Sequence, residues 1–229
     1  MSSTPASCAG AFRKVILSRC VPVAAAVDIP ATYLRGRAAN TPARSFPIRS
    51  GTTAAAGFCP ETVLEAGPDR VVSTRPLAGT RALGADACVP ASVVANELLS
   101  VEERGSVQHL ASRVSGTLSG GQTAWDALEA VFPGVTASGI PKAEAREYIA
   151  RTEPSPRGLY AGVVLTASSD GALDAGLVLR AVFETDGRWW LRAGAGIIAE
   201  SRPDREYEET CEKLRSVAPY LVPGRRRAL

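Results

Sequence analysis

Apolar and polar positions along the chain fall into runs that change period. Residues 1–11 are small and polar and read as a flexible leader. The run Lys14-Val15-Ile16-Leu17-Ser18 is apolar with β-branched residues and predicts a buried strand. Residues 45–48 and 54–59 predict two further strands around the Ser50-Gly51 turn, and 70–74 another that ends before Pro76. The first third is therefore expected to be β-rich. A helical period takes over at 123–132, closed by Pro133-Gly134, and a second helix is expected from Pro141 to about Ile149. Residues 158–167, 175–185 and 189–197, separated by Ser169-Asp170-Gly171 and Asp186-Gly187, predict a meander with Asp-Gly turns. A last helix is expected from Pro203 to about Val217, with Tyr207, Cys211, Leu214 and Val217 on its apolar face. Runs of strands separated by runs of helices predict an α+β fold, sheets flanked by helices, over residues 12–222, followed by a basic tail at 223–229.

Composition narrows the function classes. A chain of 229 residues, 45% hydrophobic, buries roughly 70–75% of its unfolded surface, enough for a substantial core. The net charge of +3 owes much to Arg225-Arg226-Arg227, so no broad basic surface points to nucleic acid or a membrane. Cys8, Cys20, Cys59, Cys88 and Cys211 are odd in number and scattered, which speaks against a disulfide framework or a zinc site and for a cytoplasmic location. No nucleophile elbow, phosphate loop or dinucleotide fingerprint is present.

Some patterns carry chemistry. At about 100° per residue, Glu206, Glu209 (about 300°) and Lys213 (about 340°) share a narrow stripe of the last helix. Such a stripe can hold a hard cation such as Mg²⁺ while the lysine addresses an anion; it can equally be a surface Glu-Lys pair. Glycines at 79, 139, 194 and 196 suit close backbone approach to a ligand or serve turns and bulges. Arg180, ending an apolar run, and Tyr160 could clamp a carboxylate, or be a strand-end arginine and a core tyrosine. His109 is the single histidine, which excludes a multi-histidine metal site.

Longer strings carry a family resemblance from about Phe12 to Val222. They include Asn40-Thr41-Pro42-Ala43-Arg44-Ser45-Phe46, Arg75-Pro76-Leu77-Ala78-Gly79-Thr80-Arg81, Arg104-Gly105-Ser106-Val107-Gln108-His109, Thr136-Ala137-Ser138-Gly139-Ile140-Pro141-Lys142, Arg192-Ala193-Gly194-Ala195-Gly196 and Glu206-Tyr207-Glu208-Glu209-Thr210-Cys211-Glu212-Lys213. Together they resemble the chorismate-utilising enzymes, most closely the salicylate synthase branch. The resemblance implies Mg²⁺-dependent conversion of chorismate through isochorismate to salicylate and pyruvate for siderophore biosynthesis, with isochorismate synthesis as the alternative. It implies Lys14 as general base toward water and Glu61 as general acid, Mg²⁺ held by Glu209 with Glu206, and a ring site lined by Gly79, Thr80, His109, Thr136 and Lys213. Tyr160, Arg180 and the Gly194-Ala195-Gly196 backbone would hold the pyruvyl carboxylate.

Two departures shape the expectation. Family members carry a large region before the lysine strand, so a separate N-terminal half is an expected partner. They also carry a helix with a Lys-Glu-Ile-x-Glu-His string where this chain is shortened to residues 85–100. The resemblance therefore implies an incomplete fold and weakened or absent turnover, with a non-catalytic chorismate-binding remnant as the rival.

Overall fold

The computed structural model describes residues 12–76, 87–104 and 107–224, and for 102–104 and 107–109 the backbone alone. Within them the chain forms β1 (Lys14–Val23), α1 (Ile29–Ala39), β2 (Arg44–Ser50), β3 (Thr53–Cys59), β4 (Thr62–Ala66) and β5 (Val71–Arg75). The long strands β6 (Val94–Arg104) and β7 (Val107–Thr117) follow, then α2 (Ala124–Val131), β8 (Gly139–Ile140) and α3 (Lys142–Thr152). Strands β9 (Val163–Ala167), β10 (Leu173–Leu177), β11 (Ala181–Thr185) and β12 (Arg188–Ile197) precede α4 (Pro203–Arg215).

Two six-stranded antiparallel sheets result, ordered β2-β3-β11-β12-β1-β8 and β6-β7-β5-β4-β10-β9. Strand alternation sorts their faces. Ala54 and Ala56 of β3 turn to a cluster with Ile29 of α1, Val182, Leu191 and Val217, whereas Ala55 between them turns to Phe46, Phe183 and the second sheet. In the second sheet Leu64, Ala66, Leu173, Ala175 and Leu177 pack with Ala124 and Ala127 of α2. Their neighbours Glu65 and Asp174 face the first sheet and ion-pair with Arg44 of β2. The order of layers is helices, sheet, sheet, helix, an α+β sandwich as expected from the sequence.

The helices expected after Thr123 and at Pro141 are present. Thr123 and Asp126 form a reciprocal capping box on α2, and Pro141 caps α3 from outside its first turn. Helix α1 had no sequence prediction, and the reason is physical. Its buried positions are Ile29, Thr32 and Gly36, so no apolar stripe marks it. Gly36 is small because a Cβ there would lie 2.0 Å from Phe58. Asp28, accepting from Ala31 N at 2.9 Å, and Pro30 start it.

Three expectations are corrected. Residues 175–185 are not one strand of a meander: β10 and β11 lie in different sheets, with the crossing at 178–180. Residues 158–162 form turns, so the strand expected from 158 begins at Val163. Tyr207 of α4 does not join the buried face; it is 58% exposed, with the Arg19 guanidinium 4.5 Å above its ring. Strands β6 and β7 also went unpredicted. Register shifts between Ala95 and Glu97 and between Glu97 and Ser100 break the alternation of β6. As the edge of its sheet β6 leaves Val94, Leu98, Leu99 and Val101 exposed.

Candidate active site

The chain passes from one sheet to the other without an intervening helix at two adjacent places, Pro60-Glu61 between β3 and β4 and 178–180 between β10 and β11. Backbone bonds tie the crossings to the sheets: Leu177 N donates to Glu61 O and Phe58 N to Arg180 O, each at 3.1 Å. Beside this seam lies a cavity of about 600 Å³, lined by Lys14, Ile16, Pro60, Thr136, Tyr160, Leu179, Arg180, Arg192, Gly194, Gly196, Glu209 and Lys213, among others.

Lys14 and Ile16 of β1 share one face with Gly194 and Gly196 of the paired β12, where Ile16 opposes Gly196 and Ser18 opposes Gly194. Both glycines make room. A Cβ on Gly196 would sit 2.6 Å from Lys14 Cε, and one on Gly194 would sit 3.1 Å from the Tyr160 hydroxyl and 2.9 Å from Leu17 O. Ala195 points the other way and packs in the core, so within that tripeptide the two glycines alone reach the cavity.

Arg180 reaches the cavity from a left-handed backbone (φ +51°), a conformation costly for a residue with a Cβ. Its Nη1 donates to Ser216 Oγ at 3.2 Å. Among the described residues it makes no ion pair, and burial holds its pKa below the ordinary value despite the opposing influence of Tyr160 and Glu209. A buried guanidinium without an ion-pair partner among the described residues is chemically suited to an anion. Tyr160, 5% exposed, has its hydroxyl pKa pushed up to about 12 by burial, so it stays a neutral donor at physiological pH.

Across the cavity, Lys213 Nζ lies 2.6 Å from Glu209 Oε1 and donates to Gly194 O at 2.7 Å. The i,i+4 Glu-Lys pair expected as the alternative is therefore present, with side chains 30% and 36% exposed, and both its residues also line the cavity. Glu206 Oε2 is buried with no hydrogen-bond partner, one turn before Glu209. Behind the cavity wall Thr136 Oγ1 donates to Glu61 Oε1 at 3.1 Å, and Glu61 is 4% exposed. Gly79 and Thr80 lie outside the described residues. The backbone of His109 is in β7 opposite Glu102, and its side chain is not described. Among the described residues no group of three or more His, Cys, Asp or Glu side chains is placed to hold a metal ion. Glu206 and Glu209, with one orphaned oxygen between them, are the donors that fit a hard cation.

Sequence reasoning missed Arg192 and the two charges it meets. Arg192, 3% exposed in β12, donates to Glu153 Oε2 at 2.7 Å, Ser18 Oγ at 2.8 Å and Pro156 O at 2.8 Å. Glu153 also accepts from Ser18 N and Oγ, both at 2.8 Å, and from Arg157 Nη2 at 2.6 Å. Arg157 in turn donates to Ala137 O at 2.6 Å and Ile16 O at 2.8 Å. The available signal was an arginine inside the apolar run Trp189-Trp190-Leu191-Arg192-Ala193, a charge that must be paired to be buried. Burial opposes ionisation of Glu153, but hydrogen bonds from Arg157 and Ser18 and the Arg157 charge outweigh it, so its pKa is lowered. The stability this confers is complete above the unfolded carboxylate value of about 4.3 and is lost as pH falls through the depressed folded value. Urea midpoints measured from pH 6 to pH 3 are therefore expected to fall more for the native chain than for Glu153→Gln, which takes up no proton there.

The fold is thus a sheet sandwich with a basic, glycine-walled pocket at its seam. The chain belongs to the family of chorismate binding enzymes, which it matches over residues 7–87 and 85–219. It is 50% identical over 248 positions to the salicylate synthase of Mycolicibacterium paratuberculosis, covering 93% of this chain and 55% of that protein. Since 248 exceeds 229, the relative carries positions with no counterpart here. Among solved structures, anthranilate synthase component I from Streptococcus pneumoniae superposes with a TM-score of 0.84 at 27% identity, over 91% of this chain and 53% of that one. The menaquinone-specific isochorismate synthase of Escherichia coli shares the fold, with a TM-score of 0.78 at 24% identity over 93% of this chain and 57% of that one. The chain spans about half the length of these relatives. No helix among the described residues is long and apolar enough to cross a membrane.

Proposed function

We propose that the cavity binds chorismate and that the chain carries the chemistry of a salicylate synthase, isomerising chorismate to isochorismate and then releasing pyruvate to leave salicylate. The observation that carries the reading is the convergence of Tyr160, Lys14 and Arg180, which makes no ion pair among the described residues, on a cavity of about 600 Å³ walled by Gly194 and Gly196. That size suits one ring with its side chain. Arg180 and the Tyr160 hydroxyl bind the side-chain carboxylate, and Lys213, held on Gly194 O, addresses the ring. Lys14 takes a proton from the water that attacks the ring. Glu61, oriented by Thr136, returns a proton to the hydroxyl that leaves, so the first step is a net isomerisation. Elimination then divides isochorismate into salicylate and pyruvate, helped by holding the side chain in a reactive geometry. Glu206 and Glu209 are the residues to hold Mg²⁺, which when bound offsets the charge of the ring carboxylate.

A second reading, binding without turnover, is favoured by one observation. The family match comes in two pieces that meet at 85–87, and among the described residues no group of three or more metal-binding side chains comes together, where the resemblance implies a fuller set. Incubating the chain with chorismate, with and without Mg²⁺, followed by chromatography and calorimetry, separates the two. Magnesium-dependent salicylate supports the enzyme, and isochorismate alone supports a chain that stops at the first step. Saturable binding with no product supports the binding-only protein. Activity that appears only with a complementing polypeptide identifies half of a split enzyme. Absence of binding to the folded chain overturns the reading.

Gly196→Ala tests the placement of Lys14. The added Cβ meets the far end of a flexible side chain, so the chain is expected to fold with a melting temperature within about 2 °C of native. Its chorismate affinity or turnover is expected to fall about tenfold or more, read by calorimetry and product assay.

A further inference from the structure

Arg192 lines the cavity, Glu153 and Arg157 lie behind it, and none of the three has a part in the chemistry above. The triad is buried, with side-chain exposures of 3%, 16% and 2%. Its hydrogen bonds reach four of the segments that deliver cavity residues. Ile16 O and Ser18 belong to the strand of Lys14, and Ala137 O to the turn carrying Thr136. Ser155 O and Pro156 O belong to the loop that leads to Tyr160, and Arg192 itself lies two residues before Gly194. Both guanidinium carbons also stand 5.7 Å from the centroid of the Tyr160 ring. A buried ion cluster is a weak source of stability, because desolvation cancels much of its attraction; what it supplies is direction. Two guanidiniums would repel each other unless one carboxylate held both, and their faces then fix an aromatic ring by its quadrupole.

We infer that Glu153 is a positioning residue of this pocket: by holding Arg157 and Arg192 together it sets the ring of Tyr160 and aims its hydroxyl at the cavity wall formed by Gly194. The Tyr160 ring has one orientation only while both guanidiniums stay in place. Loss of the carboxylate lets them separate and the ring rock. Ligand affinity then falls through Tyr160 and not through general loosening.

The test uses the full chain labelled with 3-fluorotyrosine, in which Tyr160→Phe assigns one of five fluorine resonances. In Glu153→Gln the Tyr160 resonance is expected to shift or broaden while those of Tyr33, Tyr148, Tyr207 and Tyr220 stay in place. Arg157→Lys, which keeps the charge and loses the forked grip, serves as the second variant if the first does not fold and is expected to do the same. An unmoved Tyr160 resonance in a folded variant overturns the inference. A double-mutant cycle on chorismate affinity, which rests on the chorismate reading of the cavity, adds a second arm. Glu153→Gln is expected to weaken binding about tenfold in the native background and less than about threefold in the Tyr160→Phe background. Equal penalties in both backgrounds overturn it. If the native chain binds no chorismate, the functional reading fails and the fluorine spectrum alone decides.

Discussion

Arg180→Gly is expected to weaken ligand binding about 100-fold and to raise the melting temperature. The two signs follow from one geometry. Arg180 holds φ +51° with a Cβ, and its guanidinium is buried without an ion pair among the described residues. Glycine relieves about 1 kcal/mol of backbone strain and removes a desolvated charge. At about 2–4 °C per kcal/mol for a chain of this size, calorimetric melting is expected to rise by a few degrees. The same change removes the group proposed to pair with the side-chain carboxylate, a contact worth on the order of 2–5 kcal/mol. Chorismate affinity by titration calorimetry should then fall about 100-fold. A variant that melts lower and still binds would show that Arg180 is a structural residue.

Gly139→Ala has the largest expected effect on stability. Gly139 sits at φ +145°, and a Cβ there would lie 2.2 Å from Lys14 O, 2.7 Å from Ala145 Cβ and 3.0 Å from Val15 Cα. None of these can yield cheaply. Lys14 and Val15 are fixed by pairing with Ile140 and Gly139, and Ala145 is fully buried on the inner face of α3. Strain and overpacking together cost on the order of 3–5 kcal/mol, a loss of about 10 °C or more in melting temperature. Gly120→Ala is the control. Nothing lies within 4 Å of its Cβ position, so the change should be neutral or slightly stabilising.

Gly139 also shows how far the sequence could be read. A glycine beside Ser138 suits either a ligand or a tight packing contact, and pattern alone leaves both open; the structure uses it for packing β8 onto β1 and α3. The helices with caps and prolines were legible because their ends carry local chemistry, as with Thr123 and Asp126. Helix α1 has the same kind of start in Asp28 and Pro30 yet was not read, because its buried positions, Ile29, Thr32 and Gly36, form no apolar stripe. The passage from β10 to β11 was read as one strand since an apolar run has the same composition whether or not it changes sheets. Of the expected site residues, Lys14, Thr136, Tyr160, Arg180, Gly194, Gly196, Glu209 and Lys213 meet at one cavity. That convergence was carried by long family strings, not by spacing. The triad of Glu153, Arg157 and Arg192 escaped because charged residues are read as surface until their partners, up to 174 positions away as with Ser18 and Arg192, are known.

The paired sheet crossings have a dynamic consequence. Each sheet is closed by its own hydrogen-bond ladder, while the chain joins them at the seam through Pro60-Glu61 and 178–180. A ligand gripped by Arg180 on that seam and by Lys14 in the first sheet acts as a clasp between two bodies that could otherwise open separately. Amide hydrogen exchange should then slow together in β10 and β11 when ligand binds, though β10 contributes no residue to the cavity. Binding would turn two sheets that breathe on their own clocks into one cooperative unit.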